Sequence, residues 1–83
     1  MNVQDEIVED AINWRISQLE ILLKEYNQKD ELGNILQQTK MVSLNRVDFY
    51  NNLLDNASKF FENKGILKYT DAQKRIRGGY ENP

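Results

Sequence analysis

Read as one helix at about 100° per residue, the first thirty-odd residues carry two apolar stripes, and this limits the possible folds more than any other feature. Val8, Ile12, Ile16, Leu19, Leu23 and Tyr26 make one line, while Val3, Ile7, Trp14, Ile21 and Leu32 make another well round the cylinder. A helix on the surface of a small domain needs a single such stripe. Two stripes require two packing partners.

The size of the chain sharpens this demand. Eighty-three residues hold one domain at most, and a chain this short buries only about 60 to 65% of its unfolded surface, so its core is thin. Cysteine and histidine are both absent. Disulfides and thiolate metal sites are thereby excluded, as are the commonest general base and the commonest metal ligand. No apolar run approaches the ~20 residues needed to cross a bilayer. The opening MNVQDEIVED is acidic where a signal peptide would be basic and then apolar. The expected setting is cytoplasmic, or the host-cell cytoplasm if the gene belongs to a phage. The abundance of Asn and Lys fits an AT-rich genome, and small helical proteins of this kind are frequent among phage and plasmid accessory genes.

Charge is uneven along the chain although the net value is only -2. Residues 1–31 hold eight acids against three bases, residues 32–63 three of each, and residues 64–83 five bases against two acids. The acids Asp5, Glu6, Glu9 and Asp10 stand in the first turns of a helix, where the positive end of the macrodipole favours carboxylates.

Helix signals run almost throughout, and the one proline is the last residue. The spacing predicts a first helix over about 3–32, stopped by Gly33 with Asn34 beside it. Asn34 with Gln37 makes a capping box for a second arm over about 35–64. That arm should close at Gly65, with Ile66 placed to contact Phe61 as in a Schellman motif. Ile35, Val42, Phe49, Leu53 and Phe60 fall on one line of the second arm, with Leu36, Val47, Tyr50, Leu54 and Phe61 beside it. Two arms of roughly thirty residues, about 45 Å each, describe an antiparallel helical hairpin. The alternative breaks the second arm near Ser43–Asn45, giving a three-helix bundle with helices over 35–42 and 46–64. It has its own signal, because Asn45 and Asp48 form a cap pair with a Leu44-to-Phe49 staple, and Met41 and Leu44 would otherwise point to the polar side. The continuous arm is preferred because the apolar phase survives the region. A connector over 65–70 then leads to a short helix over 71–77, capped by Thr70 and Gln73, and residues 78–83 read as a flexible tail. The fold class is therefore all-α, with residues 1–77 forming the single domain.

The expected intramolecular core is Val8, Ile12, Ile16, Leu19, Leu23, Tyr26, Phe49, Leu53 and Phe60. Val3, Ile7, Trp14, Ile21 and Leu32 form the expected protein interface, with Trp14 as the kind of aromatic anchor that dominates interface energies. Their competing role is to be covered by Ile66, Leu67, Tyr69 and Ile76 folding back within one chain.

Chemistry-bearing motifs are few. The sequence lacks a glycine-rich phosphate loop and the residues for a Ser/His/Asp set or a Cys/His pair. No catalytic residue, metal or cofactor is expected. The N-terminal acids could collect a hard cation, but dipole compensation explains them more simply. Lys64, Lys68, Lys74, Arg75 and Arg77, interleaved with Tyr69 and Tyr80, suit single-stranded nucleic acid or an acidic partner, against the plainer reading of a solvated helix end. A two-helix hairpin has almost no interior, so apolar surface should remain for another chain, as when two hairpins form a four-helix bundle. The sequence thus describes a non-catalytic helical interaction protein, self-associating or held in a complex with a different protein, as an assembly component or as an adaptor or inhibitor. Nucleic-acid binding through the basic C-terminal segment is the alternative.

Overall fold

A computed structural model describes residues 3–79, with side chains over 4–79. The described chain is all-helical: α1 (Val3–Glu25), a 3-10 turn (Lys29–Glu31), α2 (Leu32–Met41), α3 (Arg46–Asn63) and α4 (Tyr69–Arg77). It is a helical hairpin with a short C-terminal helix, and the second arm is broken, so the hairpin takes the three-helix form.

The chain first reverses at Tyr26–Gln28, not at Gly33–Asn34. Asn27 takes the left-handed conformation at φ 59°, which Asn tolerates better than other side-chain-bearing residues because its short amide can bond locally. The N–H of Gln28 donates to the Leu23 carbonyl at 2.7 Å and that of Asn27 to the Lys24 carbonyl at 3.2 Å. This is a Schellman closure built on asparagine. Gly33 and Asn34 lie within the first turn of α2. The chain has already turned by then, Leu32 packs against the core, and a Cβ on Gly33 would meet open space, so the glycine is carried as a helical residue.

A second reversal corrects the continuous second arm. Asn45 is extended (φ -155°, ψ -178°) and its side chain accepts from the Asp48 N–H at 2.9 Å. That cap starts α3, and the preserved apolar phase does not carry the helix across it.

With two reversals, α3 lies alongside α1 in the same direction: Glu9 meets Arg46, Arg15 meets Tyr50, and Tyr26 meets Phe61. α2 runs antiparallel to α3 along a polar seam. There Asn56 donates to the Thr39 hydroxyl at 3.2 Å and Asn52 to that of Ser43 at 3.1 Å. The radius of gyration is 12.4 Å and the longest extent 40 Å. Two unbroken arms of about 45 Å would not fit such a body.

The core gathers Ile12, Leu19, Leu22, Leu23, Leu53, Ala57, Phe61, Ala72 and Ile76. Ile12, Leu19, Leu23, Phe49 and Leu53 of the expected core are buried, and Val8, Ile16, Tyr26 and Phe60 pack against them. α1 packs chiefly against α3 and α4, with lesser contact to α2 and the 3-10 turn. Its second inward line, however, is Ala11, Arg15 and Leu22, next to the first stripe rather than across the helix from it.

α3 closes at Gly65 (φ 71°), where the Ile66 N–H donates to the Phe61 carbonyl at 3.0 Å. α4 begins at Tyr69, two residues earlier than Thr70 as a cap would set it. The Ala72 N–H already reaches the Lys68 carbonyl at 3.0 Å, and the Tyr69 hydroxyl is held by Asp55 at 2.8 Å. Of the expected tail, Gly78 packs against Trp14, and residues 80–83 lie outside the described residues.

Candidate interaction surface

The second reversal carries the three most exposed large apolar side chains among the described residues. Leu44 is 92% exposed, Met41 75%, and Val42 and Val47 are each more than half exposed. Scattered single apolar residues on a surface are ordinary, whereas a contiguous group marks a place of contact.

The backbone beneath this group is fixed. The Val42 N–H bonds to the Gln38 carbonyl, the Ser43 hydroxyl donates to the Thr39 carbonyl at 2.6 Å, and the Leu44 N–H donates to the Asp48 carboxylate at 3.2 Å. Each hydrogen bond is local, so the corner needs nothing from its apolar side chains to hold its shape. The expected staple is absent: Leu44 points away from Phe49, over whose ring the Arg46 guanidinium lies at 4.6 Å instead.

Beside the projecting side chains is an open groove of about 650 Å³ lined by Asp5, Val8, Glu9, Asn45, Arg46 and Val47. Its wall is braced by a two-pronged pair, Arg46 Nε to Glu9 Oε2 at 2.8 Å and Nη2 to Oε1 at 3.1 Å. The hydrogen bond from Arg46 holds the Glu9 carboxyl below its ordinary range, so the pair is fully charged near neutrality. Projection and groove adjoin to form one mainly apolar surface.

The expected interface stripe is dispersed. Leu32 packs against the core. Trp14 is half-buried, donating its indole N–H to the Arg77 carbonyl at 2.7 Å, with Gly78 close against its ring. The cover on Trp14 includes this chain's own C-terminal end, at Arg77 and Gly78. Ile7 and Ile21 are each more than half exposed, and at 1.5 Å per residue they stand about 21 Å apart along α1. The side chain of Val3 lies outside the described residues.

The basic residues are not gathered into one free patch. Arg75 is paired with Glu25 at 2.8 Å, and Lys64 lies 5.7 Å from the Phe60 ring. Lys68, Lys74 and Arg77 are exposed, and Tyr80 lies outside the described residues. The Arg75 hydrogen bond lowers the Glu25 pKa.

Two further groups bear on chemistry. Tyr69 donates to Asp55, which also pairs with Lys59 at 3.0 Å. The hydrogen bond lowers the Asp55 pKa and raises that of Tyr69, fixing a carboxylate and a neutral phenol, the reverse of an activated phenolate. Arg15 is almost fully buried, donating to the Tyr50 carbonyl at 2.6 Å with its guanidinium 3.5 Å over the Tyr50 ring. A buried charge has to be paired and hydrogen-bonded, and Arg15 serves as a tie between α1 and α3. Among the described residues, no group of three or more carboxylates is placed to hold a metal ion, and no helix is long and apolar enough to cross a membrane.

Both Arg15 and the corner were detectable in the sequence. Arg15 falls three residues after Ile12 and four before Leu19, inside the buried line. Met41 and Leu44 were apolar residues that no single-helix phase could bury.

Compared with known proteins, the chain matches no protein-family model, no curated protein and no solved structure.

Proposed function

We propose that this chain is a non-catalytic helical interaction module that docks on protein surface through the apolar corner between α2 and α3, as an assembly component or as an adaptor or inhibitor. One observation carries this reading: four apolar side chains within residues 41–47 are each more than half exposed on a corner closed by its own local hydrogen bonds. A pre-ordered apolar surface loses little conformational entropy on binding, and this favours affinity. The groove beside it adds a concave counterpart floored by Val8 and Val47. Nucleic-acid binding by the C-terminal segment has less support, since Arg75 is engaged by Glu25 and Lys64 leans on Phe60.

A photo-crosslinking phenylalanine analogue placed at Leu44, in cells making the protein, tests this directly. The expected result is a discrete protein adduct at Leu44 and none from the same probe at exposed Lys29 of the first reversal. Equal or absent crosslinking at the two positions would sink the proposal.

A further inference from the structure

Resting on the docking reading above, we infer that the occupant of the corner is a second copy of this chain, paired about a two-fold axis. The Met41–Leu44 projection of each copy enters the Val8–Val47 groove of the other.

Self-complementary shape is the first ground. A projection and a groove of the same apolar character lie side by side on one surface. A two-fold axis passing between them forms both contacts at once, because in an isologous interface each patch meets its own counterpart. A groove of about 650 Å³ has room for the Leu44 and Met41 side chains.

Charge supplies the second ground. The projecting segment over residues 40–44 contains no acid and carries Lys40, whereas the α1 side of the groove carries Asp5 beside the Glu9 that Arg46 of the same chain already holds. Lys40 is exposed next to Met41, and Asp5 is exposed on the groove rim. The two-fold arrangement sets Lys40 of each copy toward Asp5 of the other. Opposite charges then meet twice, at the rim of an apolar centre, which is the usual anatomy of an interface.

Area sets the expected strength. The four exposed side chains offer roughly 300 Å² of apolar surface per copy. Counted twice and with the groove walls, the contact stays below about 1,000 Å², the size of weak, transient interfaces. A reversible dimer with Kd in the micromolar range follows, not an obligate one.

Sedimentation velocity over about 1 to 500 µM protein tests this, with circular dichroism as the folding control. The wild-type chain should shift from monomer to dimer mass as concentration rises. Leu44→Glu should weaken the dimer about 30-fold or more with helix content unchanged, since Leu44 makes almost no contact within its own chain. Met41→Lys is the second variant should that one misfold. Lys40→Glu and Asp5→Lys should each weaken the dimer, and the double variant should recover it, because the swap restores opposite charges across the two-fold. A dimer indifferent to Leu44→Glu, or a double swap without recovery, overturns the inference. So does a monomer at every concentration. If the Leu44 crosslinker then gives an adduct at a mass other than twice the chain, the docking reading survives with a different occupant. If it gives none, both readings fall.

Discussion

The molecule reverses direction twice between helices, and the two reversals treat apolar residues in opposite ways. At the first, the turn residues Asn27, Gln28, Lys29 and Asp30 are polar, and the flanking Tyr26 and Leu32 are drawn inward. Tyr26 meets the Phe61 ring edge-on at 6.2 Å. At the second, the segment Met41–Leu44 carries three apolar residues outward. Both turns are closed by local hydrogen bonds, so neither requires exposed apolar side chains for its geometry. Those at the second reversal stand largely in solvent without being needed for its hydrogen-bonded closure, and the proposed docking role rests on this difference.

The largest expected effect separates the two directly. Phe61→Ala removes the fully buried ring on which the first reversal rests and should cost about 3 to 5 kcal/mol in urea unfolding. Leu44→Ala should cost under about 0.5 kcal/mol, measured at low protein concentration. A large loss from Leu44→Ala in dilute solution would break the contrast, because it would make the corner part of the fold.

Coverage can also be removed where the chain supplies it last. Gly78 has φ 58° and ψ -144°, and a Cβ there would sit 3.0 Å from the Trp14 ring. Gly78→Ala should therefore lift the end of α4 from Trp14 at a cost of about 1 to 3 kcal/mol, with the emission of the single tryptophan shifting to the red. Unchanged emission would mean that Trp14 owes its cover to something other than Arg77 and Gly78.

Why some of this was legible in the sequence and some not comes down to which signals are local. Gly65 and Ile66 announced the end of α3 because a Schellman closure needs only the residues it contains. Asn45 and Asp48 announce α3 equally plainly, but the apolar phase continues through the break and points the other way. Gly33 is the more familiar stop, whereas the first turn forms where Asn27 takes the left-handed conformation at a position with no glycine. The core line of α1 was readable from spacing alone. Its second inward line has the same spacing signal but is masked by residue type, because Arg15 is charged, Ala11 is small and Leu22 lies between the two expected stripes. Which face of α1 receives α4 depends on the direction of α3, and direction is a tertiary property. For the candidate site the same limit applied: Met41 and Leu44 were visible as misfits, but their adjacency to Val8 requires α1 and α3 to start at the same end.

Smaller effects should be equal at the two turns. Asn27→Ala places a Cβ-bearing residue with no local amide at φ 59° and should cost about 1 kcal/mol, while Asn27→Gly should cost little. Asn45→Ala removes the cap accepted from the Asp48 N–H and should also cost about 1 kcal/mol. Equal values in thermal unfolding would show that the turns are comparably made and differ only in what they do with apolar side chains. A much larger loss at Asn45 would mean that the corner is held by its cap alone, without help from the Thr39–Asn56 and Ser43–Asn52 seam.

The smallest effect concerns the ion pairs, one beside each turn: Glu25–Arg75 near the first and Glu9–Arg46 near the second. In both, a hydrogen bond from arginine lowers the carboxyl pKa in the folded chain. The stabilisation is therefore present above the ordinary carboxylate range and is lost as pH falls through the lowered folded values. Both pairs are exposed and screened by salt, so Glu9→Gln and Glu25→Gln should each flatten the acid limb of thermal stability slightly and alike in dilute, low-salt solution. Concentrated protein should separate them. Glu9 braces the groove that the second copy would fill, and burial in the dimer strengthens a charge pair by excluding water and counter-ions from it. The effect of Glu9→Gln should then grow with protein concentration while that of Glu25→Gln stays constant. Identical behaviour of the two across the concentration range would place the dimer contact away from Glu9 and its groove.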